Sequence, residues 1–154
     1  MRSARSYPAA FLVLAVLSLL ASCGGGDGGG GRATPACTPN GNIWLLNSVG
    51  DPLLATSVTT SQGVSVPAVQ VFVGYTSQAA VIEAGYSPGA VDPRTVGMDI
   101  IPIGGPAANP ARFDLTFDAG RPIGTYAATW RFVARDAGYS ILGCQDLPVT
   151  FTVN

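Results

Sequence analysis

The sequence predicts an all-β domain, an antiparallel β-sandwich, that follows a signal peptide and a glycine-rich tether. Two observations predict this fold class. β-Branched and aromatic residues dominate the chain from residue 37 to residue 154, and Gly, Pro, Asn and Asp interrupt them at short intervals. No window of helical length carries apolar residues at positions i, i+3, i+4 and i+7. The predicted strands cover residues 43–47, 55–61, 68–75, 79–84, 95–103, 111–118, 124–135, 139–142 and 147–153.

The later strands show the clearest alternation. In residues 111–118, Phe113, Leu115 and Phe117 alternate with polar residues, which predicts a strand with one face on the core. Residues 124–135 place Trp130 on an apolar face, and both Trp130 and Trp44 are expected to pack in the core. Pro148 lacks a backbone donor and therefore predicts an edge strand or the start of a strand.

The tripeptide Asp-Ala-Gly occurs twice, at residues 118–120 and 136–138, each time after a predicted strand. Asp favours the entry of a turn, and Gly tolerates a positive φ. The second copy is expected to close a hairpin between residues 124–135 and 139–142. Paired carboxylates for acid/base chemistry are the alternative interpretation. The candidates for such a pair are Asp118 of the first copy and Asp92, Asp99 and Asp114 elsewhere in the chain.

The amino terminus has the order of an export signal. Arg2 and Arg5 precede an apolar run over residues 9–20, and small residues then lead to Cys23. The stretch Leu-Ala-Ser-Cys at residues 20–23 resembles the lipobox of bacterial lipoproteins. The resemblance implies a signal peptide over residues 1–22, acyl chains such as palmitate on Cys23, and retention in the outer membrane, because Gly24 replaces the aspartate that favours the inner membrane. An ordinary signal peptide cut elsewhere is the alternative.

Residues 23–36 are predicted to be a flexible, Gly-rich tether and residues 37–154 the folded domain. If Cys23 is lipidated, Cys37 and Cys144 remain as a pair in an oxidising compartment. A disulfide between them is expected, and two free thiols are the alternative. Two cysteines without a histidine fall short of a zinc site. No cofactor is expected beyond the lipid.

Composition argues against several classes of function. The chain has nine acidic residues, and its eight basic residues include the two in the signal peptide, which argues against nucleic-acid binding. It has no histidine, so neither a Ser-His-Asp nor a Cys-His arrangement can form. An enzyme is therefore not expected.

The stretch Pro-Ile-Gly-Thr-Tyr-Ala-Ala-Thr-Trp-Arg-Phe at residues 122–132, followed by Leu-Pro-Val-Thr-Phe-Thr-Val at residues 147–153, resembles the end of a bacterial immunoglobulin-like domain. The resemblance implies a single immunoglobulin-like sandwich in which Tyr126 bonds back to nearby backbone. It also implies that the first and last strands run side by side, which would bring Cys37 and Cys144 together.

The predicted function is a lipid-anchored binding or structural module of the cell envelope. Tyr86 and Tyr139 lie beside glycines at turns and are the candidate binding residues, and the loops over residues 87–94 and 104–110 have the composition of binding loops. A carbohydrate-binding module that uses exposed, coplanar aromatic rings is one alternative. An envelope inhibitor or an accessory lipoprotein of a secretion machine is the other, with one protein partner.

Overall fold

A computed structural model describes residues 32–34, 37, 39–76, 78–105 and 108–154. Within these residues the chain forms strands and one short 3₁₀ helix, which confirms the predicted all-β class. The strands are β1 (Arg32–Ala33), β2 (Ile43–Leu46), β3 (Thr56–Thr60), β4 (Val69–Tyr75), β5 (Val81–Tyr86), β6 (Met98–Ile103), β7 (Ala111–Phe117), β8 (Gly124–Arg135) and β9 (Ile141–Val153).

The strands form two sheets that pack face to face as a sandwich. One sheet has the order β2-β4-β7-β6, and the other has the order β1-β5-β8-β9-β3. If β2 to β9 are read as A, A′, B, C, D, E, F and G, the sheets are A-B-E-D and C-F-G-A′. This is the strand order of an immunoglobulin-type sandwich. The two-residue strand β1 is an addition that pairs in parallel with the free edge of β5.

Apolar residues fill the space between the sheets. Trp130, Phe132 and Phe151 are fully buried, and the rings of Phe113 and Phe132 meet edge to face across the two sheets at 5.3 Å. Trp130 therefore lies in the core as predicted. The inward-facing residues of β4, β6, β7 and β9 complete the same cluster.

Both Asp-Ala-Gly segments form turns, as predicted. The Oδ1 atom of Asp118 accepts a hydrogen bond from the backbone N–H of Gly120 at 3.0 Å. The Oδ1 atom of Asp136 accepts from the backbone N–H groups of Gly138 and Ser140 at 2.8 Å and 2.9 Å. The second turn closes the β8–β9 hairpin. In both turns the Asp carboxylate accepts hydrogen bonds from backbone N–H groups.

The last strand differs from the prediction. The predicted strands at 139–142 and 147–153 are one strand, β9, which pairs with β8 along its whole length. Pro148 therefore lies inside this long strand rather than at its start. β3 begins to pair with β9 only at Val149, so β9 is still an edge of the sheet at Pro148, and the missing N–H breaks no bond to β3.

The predicted strand at 95–103 is also corrected. A 3₁₀ helix at Pro93–Val96 precedes β6, and the side chain of Asp92 caps it by accepting a hydrogen bond from the backbone N–H of Arg94. Gly97 ends the helix at a φ of 80°. The Asp-Pro pair favours a helix start, since Asp is a strong N-cap residue and Pro fits the first turn.

Candidate functional site

The Cys37–Cys144 disulfide is present, with the two Cα atoms 6.2 Å apart. It joins the segment before β2 to the outer face of the five-stranded sheet, since Cys144 pairs with Val133 on that face. The predicted position of Cys144, in the gap before the last predicted strand, was wrong, because Cys144 lies inside β9. Asn40 strengthens the attachment by donating its backbone N–H to the Cys144 carbonyl and its side-chain Nδ2 to the Leu142 carbonyl.

The predicted lipidation site Cys23 and the signal peptide lie outside the described residues. The end of the predicted tether is attached to the domain: Arg32 and Ala33 form β1 rather than an unpaired segment. Thr34 is buried, and both its backbone N–H and its hydroxyl donate to the Tyr86 carbonyl, at 2.8 Å and 3.1 Å. The chain thus runs from the β5 edge to β9 before it enters β2.

The two candidate binding tyrosines are not neighbours. Tyr86 ends β5 and is half-buried, whereas Tyr139 lies in the β8–β9 turn at a φ of 65° and is 66% exposed. Since Val81, at the start of β5, pairs with Arg135 beside that turn, the two tyrosines lie at opposite ends of β5. They do not make one surface.

Sequence reasoning missed an exposed apolar surface on the four-stranded sheet. The outer face of an antiparallel sheet is normally polar, yet here strands β2, β4 and β6 present aromatic and aliphatic side chains to solvent. Register places Leu46, Phe72 and Ile103 in one row across the sheet, with Arg112 between the last two. We call this surface the apolar outer face; it consists of Trp44, Leu46, Phe72, Ile101 and Ile103.

Trp44 is the largest side chain of the apolar outer face. It is 43% exposed, so the prediction that it packs in the core is wrong. It pairs with Gly74 of β4, and a Cβ atom at Gly74 would overlap the indole ring. The glycine therefore allows the indole to lie directly on the neighbouring strand with its other face toward solvent.

An ion pair lies among these apolar side chains. The guanidinium of Arg112 donates to both carboxylate oxygens of Asp114, at 2.9 Å and 3.0 Å. The hydrogen bond to Asp114 raises the pKa of Arg112 from its usual value. The pair balances the two charges and uses two of the five N–H donors of the guanidinium.

A concave region of about 340 Å³ lies where β6 begins and β7 ends. Arg121 lines it but donates to the carbonyls of Arg94 and Thr95, which ties the 3₁₀ helix to the β7–β8 turn. Burial by itself raises the pKa of Asp92, but hydrogen bonds from the side chain and backbone of Arg94 hold that pKa below its usual value. These groups serve the local fold.

Two further carboxylates in the described part of the chain are paired with arginines. Asp146 receives two hydrogen bonds from the guanidinium of the buried Arg131, and Glu83 receives one from Arg135. Among the described residues, no cluster of three or more His, Cys, Asp or Glu side chains could hold a metal ion. No helix among them is both long and apolar enough to cross a membrane.

Comparison of the chain with protein-family models, curated proteins and solved structures gives no match. The candidate site therefore rests on the geometry of the chain itself.

Proposed function

We propose that this chain is a lipid-anchored, non-catalytic module of the cell envelope that binds a protein partner through its apolar outer face. Cys23 carries the acyl chains after removal of residues 1–22, and Gly24 directs the protein to the outer membrane. The observation that carries the binding proposal is the exposure of Trp44 and its apolar neighbours on a sheet face that is normally polar.

The composition of the apolar outer face favours a protein over a glycan. Aromatic residues and Arg are enriched in the centres of protein interfaces, and a fully desolvated Trp is a frequent hot spot. Leu46, Ile101 and Ile103 offer a sugar no hydrogen bonds, and two of the five N–H donors of Arg112 already bind Asp114. A carbohydrate-binding module needs coplanar exposed rings, whereas Trp44 and Tyr139, the two exposed aromatics among the described residues, lie in β2 of one sheet and in the β8–β9 turn of the other.

Site-specific photo-crosslinking in cells tests this proposal. A photoreactive residue at Ile101 samples the apolar outer face, and one at Ala127 samples the outer face of the other sheet as a matched control. We expect one dominant protein adduct from position 101 that is absent from position 127. Equal adducts from both positions, or adducts only with polysaccharide, would contradict a protein-binding face.

Two variants show whether Trp44 is the centre of the surface. Trp44→Ala removes the indole, and Gly74→Ala keeps the indole but displaces it with a methyl group. Both should reduce the adduct at position 101, whereas Leu54→Ala, in the exposed β2–β3 loop, should leave it unchanged. An unchanged yield in both variants would place the partner elsewhere.

A further inference from the structure

The direction of β1 indicates which end of the sandwich faces the anchor. β1 runs parallel to β5, with Arg32 opposite Gly85 and Ala33 opposite Tyr86. A strand parallel to β5 is entered from the end of the sandwich at which β5 begins. The β8–β9 turn lies at that same end, because Val81 pairs with Arg135.

The length of the preceding segment limits how far the domain stands from a lipidated Cys23. Residues 23–31 are nearly all glycine, and nine such residues have a coil reach of roughly 16 Å. The four-residue step from Gly85 back to Val81 spans about 13 Å at strand spacing. The end of the sandwich that carries the β8–β9 turn is therefore within reach of the bilayer surface.

The chemistry of this end fits a lipid headgroup layer. Tyr139 projects from the turn with most of its surface exposed, and Ile141 beside it is also exposed. The described residues of the other loops at this end, 39–42, 76, 78–80, 104–105 and 108–110, include no charged residue. The charged groups beside the turn are Asp136, whose carboxylate accepts hydrogen bonds from the backbone of its own turn, and the Arg135–Glu83 ion pair. The headgroup layer thus meets one uncompensated charge at this end.

We propose that the β8–β9 hairpin tip contacts the bilayer, with the phenol of Tyr139 in the interfacial layer that tyrosine side chains favour. The proposal rests on the lipid anchor of the proposed function. The contact would hold the domain end-on to the membrane and leave the apolar outer face open to a partner from the side.

The test uses full-length protein purified from membranes and reconstituted into vesicles of phosphatidylethanolamine and phosphatidylglycerol. Tyr139→Cys and Ser48→Cys each receive an environment-sensitive fluorophore after the Cys37–Cys144 bridge has been verified by mass spectrometry. Ser48 is the matched control, because it is exposed in the β2–β3 loop, which follows the end of β2 that lies away from the β8–β9 turn. Vesicle flotation measures anchoring, and quenching by a nitroxide-labelled lipid measures contact.

We expect both labelled proteins to float with the vesicles. The fluorophore at position 139 should shift to shorter wavelength and be quenched by the labelled lipid, whereas the fluorophore at position 48 should not. Flotation with equal, weak quenching at both positions would overturn the hairpin contact alone. Loss of flotation would overturn both the contact and the lipid anchor on which it rests.

Discussion

Removal of the Cys37–Cys144 bridge by the double variant Cys37→Ala/Cys144→Ala should cost much of the stability of the domain. The bridged residues are 107 positions apart, so the disulfide closes nearly the whole domain into one loop. In the chain-entropy model, a loop of about 100 residues stabilises the folded state by about 4–5 kcal/mol. A domain of this size has only about 5–15 kcal/mol in total.

Urea unfolding at pH 7 measures this loss, with the fluorescence of the buried Trp130 as the signal. The free energy of unfolding should fall by about 4 kcal/mol, and the slope with urea should rise because the unlinked chain exposes more surface when it unfolds. Wild-type protein in a thiol-free reductant should behave like the double variant. A loss below about 1 kcal/mol with an unchanged slope would show that the bridge does not stabilise the domain by restricting the unfolded chain.

Three further predictions concern side chains with defined partners. Asp146→Asn should cost about 1–3 kcal/mol in urea unfolding, because Arg131 is 8% exposed and loses its charged acceptor. Tyr139→Gly should raise the melting temperature through a gain of up to about 1 kcal/mol, because a φ of 65° costs a tyrosine about 1–2 kcal/mol and the larger unfolded-state entropy of glycine offsets part of that relief. Asp92→Ala should cost about 0.5–2 kcal/mol at pH 7 through loss of the helix cap. The pKa of Asp92 is lower in the folded state than its usual value, so its charge-dependent stabilisation is present above the usual pKa and disappears as the pH falls through the folded-state pKa.

Each of these predictions has a matched control and a result that contradicts it. Asp51→Asn, in the exposed β2–β3 loop, should be neutral, and an equal loss in both Asn variants would show that the Arg131 pair is not specific. Ala137→Gly, in the same turn as Tyr139, should not stabilise the domain; a gain there as large as at Tyr139 would remove the argument from φ. Asp92→Asn should retain most of the cap and lose the acid dependence, and an acid dependence as steep as that of the wild type would assign it to other groups.

Strands β7 and β8 were predictable because each alternates between an apolar and a polar face. Their predicted bounds lie within one residue of the observed strands. β9 was predicted as two strands, over residues 139–142 and 147–153, with a break over residues 143–146. Pairing with β8 along its full length bridges that break. The strand order required the pairing of distant segments, which no local pattern reports.

The apolar outer face had a signal in the sequence that was read only for the core. Residues 43–46 are apolar without interruption, and residues 71–73 and 100–103 are as well. Such runs are typical of strands that are buried on both faces, but here only one face of each strand meets the other sheet. Trp44 was assigned to the core for this reason.

β1 was missed because its neighbours are glycines, and only the free edge of β5 gives it a partner.

The intact mass of the protein extracted from bacterial membranes tests the lipid anchor, on which both proposals rest, most directly. We expect a chain that begins at Cys23, carries the added mass of acyl chains on that residue, and contains one disulfide. A chain that keeps residues 1–22, or that begins elsewhere without a lipid, would contradict the anchor and the membrane contact derived from it.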